Sequence, residues 1–364
     1  MKRIVFTVTN GLNHDQRMIR ICSSLAAAGY RVTLVGVHNN EPLQSQPFEQ
    51  KRLGVPFKKG FAFYAFYNIR LFFFLLFVKT DRFCCIDLDT MLPVWLASIL
   101  RGKPRVYDAH EFFSEQKEVI SRPRVHRVWH WIEKHFLPRF PAGYTVSQGI
   151  ADEFARRYGV RYGVIRNMPL RKTPPALPAS SKKIVLYQGA VNEARGLEYL
   201  VPAMARVNAE LHIYGDGNFM EQLKTLVRQN NLGNKVLLKG KVLPGELDAV
   251  TANAYIGINL VEPVGLNQYY SLANKFFDYI QLGVPQVTMN FPEYAGIDAA
   301  AGGVGVLIGD LSEDSIATAI NRLLEDGALH SRLRNNCTEA AKTLNWQEEE
   351  KKLLAFYAAP EPKS

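Results

Sequence analysis

A proline-rich break in the middle of the chain is the feature that most constrains its fold. Residues 168–183 contain four prolines and two serines with little apolar periodicity, a composition typical of a linker. On both sides of this break, short apolar runs alternate with segments of helical spacing. A chain of 364 residues is long enough for two domains. The pattern therefore predicts two α/β domains, residues 1–167 and residues 168–345.

The first half begins with a strand, a loop, a helix and a second strand. Its first apolar run covers residues 3–9, and the next, after Gly29, covers residues 31–37. This order is typical of a right-handed βαβ unit in a parallel sheet, whose ligands collect beyond the carboxyl ends of the strands. Further strand candidates, each followed by a polar cluster, are at residues 83–86, 105–107, 143–146 and 163–165.

The second half repeats this alternation without a fixed repeat length. Strands are predicted at residues 184–187, 210–214, 236–239 and 255–260. Helices are predicted at residues 197–207, 219–229, 313–324 and 329–344, and a final amphipathic helix at residues 346–358. Both halves therefore predict Rossmann-like parallel sheets.

A helix with a cation near its beginning is predicted within residues 271–285. Asn274 is a candidate N-cap, Lys275 and Asp278 fall on adjacent turns, and Gly283 and Pro285 end the helix. A helix N-terminus binds anions, and a lysine there favours a phosphate or diphosphate. A carboxylate one turn further can accept hydrogen bonds from a ribose. This segment therefore predicts a binding site for a nucleotide diphosphate.

These residues resemble the retaining glycosyltransferases of family 4, which have the GT-B fold of two Rossmann-like domains facing a cleft. The resemblance implies that the C-terminal helix, residues 346–364 here, crosses back and belongs to the first domain. That family carries two glutamates separated by seven residues. Asp278 stands at the second position and Tyr270 at the first, while Glu262 has the local sequence of the first acid but lies sixteen residues before Asp278. The segment is similar to a branch that reads Ser-Leu-Pro-Asn-Lys-Phe-Phe-Glu-Tyr, in which the lysine meets the diphosphate.

The resemblance extends to the glycine-containing loops of the second half. Gly189 and Gly196 bracket a strand-to-helix loop in which Arg195 offers a fork for phosphate oxygens, although a plain turn explains the same residues. The family's additional arginine after the first glycine is Ala190 here. The resemblance implies catalytic roles for Lys275, Arg195 and His110, and donor-binding roles for Gly189, Gly215, Val242, Leu272, Asn274, Asp278 and Glu262. Asp216, beside Gly215, is expected to cap the next helix or to contact the ligand.

Polar residues follow the strands of the first half. Asp87-Leu-Asp89 is similar to the Asp-x-Asp metal motif of the GT-A fold, but it lies far along the chain from the phosphate loops, and a carboxylate cluster at a strand end is the alternative. His110 follows another strand and is expected to bind hydroxyls of the donor sugar, with capping by Asp108 as the structural alternative. The expected acceptor-side residues are Asn10, Gly11, His14, Asp87 and Asp89. No bound metal and no cofactor are expected.

Positive charge is concentrated in the first half of the chain. The whole chain carries +10, but residues 1–172 carry +14 and residues 173–364 carry −4. A basic half suggests an anionic membrane surface or a solvated face; nucleic acid is disfavoured because no helix-turn-helix, zinc-finger or RNP pattern is present.

Residues 61–78 are apolar apart from a few polar side chains, with Arg70 the single charge among them. They are predicted as a helix that packs on the sheet or dips into a membrane interface, and not as a membrane span, because one sheet needs the strands on both sides of it.

The four cysteines show no metal-ligand spacing, and the N-terminus reads as a strand. These features predict a cytoplasmic protein that is peripheral at the inner face of the membrane. Its expected activity is retaining transfer of a sugar from a nucleotide-diphosphate donor to a glycan or lipid-linked hydroxyl. The alternatives are a nucleotide-sugar epimerase of the same architecture and a catalytically silent glycan- or membrane-binding protein.

Overall fold

The computed structural model describes residues 1–173 and 182–360 and divides the chain into two compact units. Unit 1 comprises Met1–Arg166, Gly265–Asn267 and the residues from Glu349 onward, and unit 2 comprises Asn167–Val264 and Gln268–Glu348. Residues 174–181 of the predicted linker lie outside the described residues, as do residues 361–364.

Unit 1 is a parallel sheet with helices in its connections. Its strands are β1 (Arg3–Thr7), β2 (Arg31–Val37), β3 (Glu49–Leu53), β4 (Arg82–Ile86), β5 (Arg105–Ala109), β6 (Ala142–Thr145) and β7 (Gly163–Val164). Its helices are α1 (Gln16–Ala27), α2 (Phe61–Phe77), α3 (Met91–Leu100), α4 (Lys117–Ile120), α5 (Pro123–Phe136) and α6 (Gln148–Tyr158). The described strands lie in the order β3-β2-β1-β4-β5-β6-β7, so β1, β4 and β5 are neighbours.

Burial follows the sequence pattern in most of these elements. All five residues of β4 are buried, as expected for a parallel strand with helices on both faces. The carboxylate of Asp15 accepts a hydrogen bond from the Met18 amide at 3.0 Å and so begins α1. The sequence missed β3, because its polar residues at the sheet edge show neither an apolar run nor clear alternation.

The apolar stretch predicted at residues 61–78 is the helix α2. It presents Tyr67, Leu71 and Leu75 to the core, and the Tyr67 hydroxyl donates to the carbonyl of Val8 at 2.6 Å. In the part of the chain that the structure describes, no helix is long and apolar enough to cross a membrane.

Unit 2 contains a second parallel sheet. Its strands are β8 (Ile184–Gln188), β9 (Glu210–Tyr214), β10 (Val236–Gly240), β11 (Ile256–Asn259), β12 (Gln286–Met289) and β13 (Gly305–Ile308), in the order β10-β9-β8-β11-β12-β13. The helices that follow β8 in the chain are α7 (Leu197–Ala203), α8 (Met220–Gln229), α9 (Pro244–Ala252), α10 (Gly265–Tyr269), α11 (Asn274–Gln281), α12 (Pro292–Ala300), α13 (Glu313–Glu325), α14 (Gly327–Ala340) and α15 (Trp346–Ala358).

The predicted fold class, two Rossmann-like parallel sheets, is confirmed by these two units. Helix α15 has the predicted bounds, and its residues from Glu349 onward belong to unit 1. There the ring of Tyr357 packs 6.3 Å from that of Tyr144 and 6.0 Å from that of Phe6.

Candidate active site

The loops after β8 and β9 lie together at the carboxyl edge of the unit 2 sheet. The Gly189 amide donates to the Tyr214 carbonyl, and the Val191 amide donates to the Asp216 carbonyl, both at 3.0 Å. Gly215 has φ +146°, and a Cβ there would lie 1.8 Å from the Gly189 oxygen. Only glycine permits this approach. The two loops therefore pack directly against each other through their main chains.

Lys275 lies in the first turn of α11, next to these loops. Its Nζ is 3.7 Å from the centre of the Tyr187 ring, and its Cε lies 3.6 Å from where a Cβ on Gly189 would be. The Tyr187 hydroxyl donates to the Ala190 carbonyl at 2.6 Å, which fixes the ring. The aromatic face and the glycine together hold the ammonium group at the helix N-terminus.

A second cation lies close to Lys275. Burial, together with the positive charge of Arg195, holds the pKa of Lys275 well below its usual range. In the described residues neither cation forms an ion pair with a carboxylate. Two like charges held together at a helix N-terminus form a site that an anion would stabilise.

The structure also locates the other residues that are predicted to bind the donor. The Glu262 amide donates to the Ala194 carbonyl at 3.1 Å, which brings Glu262 beside the loop that carries Arg195. Leu272 is buried just before α11, and Val242 is half-buried in the loop after β10. The separation of Glu262 from Asp278 in the chain therefore does not keep it away from the loop of Arg195.

Asp278 makes an ion pair that the sequence did not reveal. Its Oδ1 lies 2.8 Å from Lys172 Nζ, and the same ammonium lies 2.7 Å from Asp248 Oδ1. The Lys172 amide also donates to Gln281 Oε1 at 2.9 Å. Burial opposes the charge of Lys172, but the two carboxylates raise its pKa above the usual value.

Two predictions of helix caps are wrong. The N-cap of α11 is Ala273, and Asn274 is its first helical residue, whose Oδ1 accepts from Asn167 Nδ2 at 2.9 Å. Asp216 does not cap α8, because its Oδ1 accepts from the adjacent Gly217 amide at 2.8 Å and its Oδ2 lies 3.3 Å from Lys241 Nζ. Both side chains therefore bind partners other than the first amides of these helices.

In unit 1, His110 follows β5 and contacts a buried ion pair. Its Nε2 lies 3.3 Å from Asp108 Oδ2, and Asp108 Oδ1 lies 2.9 Å from Arg17 Nη2. Burial opposes both ionised forms, but the charges of Arg17 and His110 lower the pKa of Asp108, and Asp108 raises the pKa of His110. Asp108 thus positions His110, and the alternative of helix capping by Asp108 is wrong.

Asp87 and Asp89 follow β4, beside β5 in the sheet. Asp87 Oδ1 accepts from the amides of His110 and Glu111 at 2.9 and 3.3 Å, and the Thr9 hydroxyl donates to Asp89 Oδ2. Burial raises the pKa of Asp87 well above its usual value and that of Asp89 to about 6. The structure therefore brings Asp87, Asp89 and His110 together.

The remaining acceptor-side residues lie in the loop after β1. Asn10 Nδ2 donates to Asp15 Oδ2 at 2.7 Å, and Asn10 Oδ1 accepts from the Leu12 amide at 2.9 Å. Gly11 approaches Asn39 so closely that a Cβ would lie 2.4 Å from its Nδ2. The His14 side chain is 81% exposed, with Nε2 3.3 Å from Glu41 Oε2. His14 is thus a surface residue, and Asn10 shapes its own loop.

Within residues 1–173 and 182–360, no group of three or more His, Cys, Asp or Glu side chains is arranged to hold a metal ion. The two carboxylates of the Asp-x-Asp segment instead accept hydrogen bonds from main-chain amides and a threonine hydroxyl. Metal independence stays a prediction.

Two family models match consecutive parts of the chain. The model described as Glycosyltransferase Family 4 matches residues 16–168, and the model described as Glycosyl transferases group 1 matches residues 171–344. These ranges include the candidate residues of both units except those in the loop after β1. The chain belongs to the GT-B glycosyltransferase family.

Solved structures with this fold cover nearly the whole chain. Sucrose-phosphate synthase from Thermosynechococcus elongatus has a TM-score of 0.81 at 20% identity over 98% of both chains. Anabaena HepE in complex with UDP and glucose has a TM-score of 0.80 at 15% identity over 99% of this chain and 100% of its own. WaaG, a glycosyltransferase involved in lipopolysaccharide biosynthesis, has a TM-score of 0.72 at 16% identity, covering 98% of this chain and 100% of its own.

A curated sequence relative is an uncharacterized glycosyltransferase of Methanocaldococcus jannaschii. It is 24% identical over 192 residues, which is 48% of this chain and 45% of that relative. The chain thus matches a little under half the length of that relative.

The sequence missed three side chains that support the candidate residues of the two units. Tyr187 lies near a strand end just before the glycine loop. This position could have identified its ring as a contact for a cation of the site. Arg17 and Lys172 gave no such signal, because their carboxylate partners Asp108 and Asp278 lie 91 and 106 residues away in the chain.

Proposed function

We propose that the protein transfers a sugar from a nucleotide-diphosphate donor to a hydroxyl of a glycan or lipid-linked acceptor, with retention of anomeric configuration. The observation that carries this proposal is the pair of cations, Lys275 and Arg195, with the Lys275 side chain packed against Gly189 and the Tyr187 ring at the beginning of α11. Such a pair stabilises the negative charge that develops on a departing nucleotide diphosphate. The HepE structure is described as a complex with UDP and glucose, which supports a nucleotide sugar as donor here.

Each unit supplies a different part of the proposed reaction. In unit 2, Lys275 and Arg195 bind the diphosphate, and Asp278, oriented by Lys172, accepts hydrogen bonds from the ribose. In unit 1, His110 binds sugar hydroxyls while Asp108 holds its ring. The departing phosphate oxygen then removes the acceptor's proton, as the family resemblance implies, so no separate protein base is required.

The proposed acceptor and location follow from unit 1. Residues 1–172 carry a net charge of +14, and α2 exposes Phe73 and Phe77 to solvent. Basic charge next to exposed aromatic side chains favours an anionic lipid surface. We therefore place the protein at the inner face of a membrane, acting in the synthesis of a surface polysaccharide or glycolipid.

Release of nucleotide diphosphate from a panel of nucleotide sugars tests the proposed activity. The purified protein is mixed with each donor, with and without glycan or lipid-linked acceptors, and the products are separated. A transferase releases nucleotide diphosphate in an acceptor-dependent manner, and the anomeric proton coupling of the product by NMR matches that of the donor. An isomerised sugar without release identifies an epimerase, and no turnover with any donor supports the silent binding protein.

A further inference from the structure

A cavity of about 780 Å³ lies at the amino-terminal edge of the unit 1 sheet. Its lining includes the first residue of each of four neighbouring strands: Arg82 of β4, Arg105 of β5, Ala142 of β6 and Gly163 of β7. This is the edge opposite the carboxyl ends that carry Asp87 and His110. The cavity is therefore separate from the candidate active site, and its volume suits a small ligand.

Four cations line this cavity. They are Arg82, which is buried, Lys103 and Arg105, which are half-buried, and Arg161, which is exposed. Among the described lining residues none is acidic. A cavity with this lining favours an anionic ligand, and arginine and lysine together suit a phosphate group.

The two arginines at the strand ends are held in place by the fold. The guanidinium carbon of Arg82 lies 5.4 Å from the centre of the Tyr357 ring. Arg105 donates to the Arg139 carbonyl at 2.6 Å and to Ser98 Oγ at 3.1 Å. The nearby carboxylate of Asp81 accepts two hydrogen bonds from the Arg3 side chain, at 2.9 and 3.0 Å. The contacts of Arg82 and Arg105 thus hold both guanidinium groups at the cavity.

Exposed apolar side chains of α2, α3 and α5 form a surface that we call the apolar flank. Its members are Ile69, Phe73 and Phe77 of α2, Leu96, Ile99 and Leu100 of α3, and Val128 and Trp131 of α5, with exposed fractions from 52% to 83% except for Leu96 at 42%. On α3 the three members are spaced three and four residues apart, so they share one face of the helix.

Side-chain contacts join these helices to each other and to the cavity. Arg101, which follows α3, donates to the carbonyls of Leu75 and Val78 at 2.6 and 2.7 Å, so the ends of α2 and α3 lie together. The rings of Trp95 and Phe136 are 4.9 Å apart and join α3 to α5. Ile99 belongs to both the flank and the cavity lining. The apolar flank therefore adjoins the basic cavity.

We propose that this cavity binds the phosphate of an anionic phospholipid headgroup while the apolar flank inserts into the bilayer interface. A soluble phosphate ester would account for the cations but leaves the adjoining apolar side chains unexplained, whereas an anionic bilayer complements both. The inference deepens the membrane part of the proposed function. It makes the headgroup an anchor at the sheet edge away from His110, distinct from the acceptor.

Vesicle flotation of the full chain tests the cavity. The test variant is Lys103→Glu with Arg161→Glu, and the matched control is Arg228→Glu with Arg332→Glu, two exposed arginines on helices of unit 2. The wild-type protein should float with vesicles of phosphatidylcholine and phosphatidylglycerol and much less with phosphatidylcholine alone. The cavity variant should bind the anionic vesicles more weakly by roughly tenfold or more, because each basic residue near an anionic surface strengthens membrane binding. The control should change by less than about twofold.

Further measurements separate the flank, the ligand source and the transfer reaction. Phe77→Ser with Leu100→Ser should remove the part of binding that survives high salt, because insertion of apolar side chains is not screened. Circular dichroism should show an unchanged fold in every variant, and release of nucleotide diphosphate with a soluble acceptor should match wild type in the cavity variant. If the wild-type protein releases no nucleotide diphosphate, the proposed sugar transfer is contradicted. The headgroup proposal is not affected by that result, because it depends only on vesicle binding.

Three results would overturn the headgroup site. The first is a folded cavity variant that floats like wild type. The second is an equal loss in the cavity variant and the unit 2 control, which would indicate attraction by net charge only. The third is cavity-dependent binding of glycerol phosphate, measured by calorimetry, with no preference for anionic vesicles, which would assign the site to a soluble phosphate ester.

Discussion

The charged groups of the two candidate sites are compensated in different ways. In unit 1, Asp87 accepts from two main-chain amides, and Asp108 is paired with Arg17. In unit 2, Lys275 and Arg195 lie beside each other, and in the described residues neither is paired with a carboxylate. The carboxylates of unit 1 thus have hydrogen-bond or ion-pair partners within the protein, whereas the cations of unit 2 leave positive charge for a ligand to neutralise. This difference supports the proposal that the diphosphate binds in unit 2 and that the acids of unit 1 position their neighbours.

The largest expected effect comes from removing either cation of unit 2. Lys275→Ala and Arg195→Ala should each lower kcat/KM for transfer by about 10²–10³, or roughly 2–4 kcal/mol of transition-state stabilisation. Steady-state kinetics of nucleotide diphosphate release measures this, with Lys224→Ala, an exposed lysine on α8, as the matched control. Turnover near the wild-type rate in both variants would contradict phosphate binding by these two cations.

The carboxylates of unit 1 should instead appear in the pH dependence of stability. The pKa of Asp89 is raised to about 6 in the folded protein, against an unfolded value of about 4. The folded state then binds more protons between these values, so Asp89 lowers the free energy of unfolding as the pH rises from about 4 to 6.

Asp89→Asn should therefore raise the free energy of unfolding at pH 7 by roughly 1–3 kcal/mol. It should also flatten the fall in stability between pH 4 and pH 6. Urea unfolding of the variant and of Asp152→Asn, an exposed carboxylate on α6, checks this. A decrease in stability at pH 7 would show that the hydrogen bond from Thr9 outweighs the cost of burying the charge.

A moderate effect is expected for Asp278, the unit 2 carboxylate that is paired with Lys172. Asp278→Asn should raise the donor KM by about three- to tenfold, in line with the typical net contribution of one hydrogen bond, and change kcat less. Lys172→Met, which removes the ammonium held by Asp278 and Asp248, should shift the donor KM in the same direction. An unchanged donor KM in both variants would mean that this ion pair is structural only.

Nucleotide binding should take up protons in unit 2. Burial and Arg195 lower the pKa of Lys275 in the empty protein, and a bound diphosphate favours its charged form, so binding should weaken as the pH rises through that lowered pKa. Calorimetry of UDP binding in buffers of different ionisation enthalpy measures the uptake, which should be less than about one proton per site. Lys275→Met should abolish it. Equal uptake in that variant would assign the proton to another group.

The smallest expected effect is that of metal removal. Because two cations already lie at the proposed phosphate site, activity should be unchanged in excess chelator. Loss of activity that Mn²⁺ or Mg²⁺ restores would shift the role of diphosphate binding toward Asp87 and Asp89. The two sites would then not differ in the way described above, because unit 1 would also bind the diphosphate.

The local pattern of the sequence determined the fold class, because parallel strands buried on both faces read as apolar runs and helices read as spaced apolar residues. The strand β9 and the helix α15 have their predicted bounds, while the polar edge strand β3 lacked such a pattern. The cation at the beginning of α11 was also readable, since helix-start signals lie within a few residues of one another.

Only the tertiary structure decided how side chains distant in the chain pair. Lys172 holds Asp278, Arg17 holds Asp108, and Glu262 lies beside the loop of Arg195. It also decided that Asn274 is not a cap and that four cations from separate segments line one cavity. Sequence periodicity reports which face of an element is buried, whereas contacts between elements depend on how the strands are ordered and how their connecting segments return to the sheet.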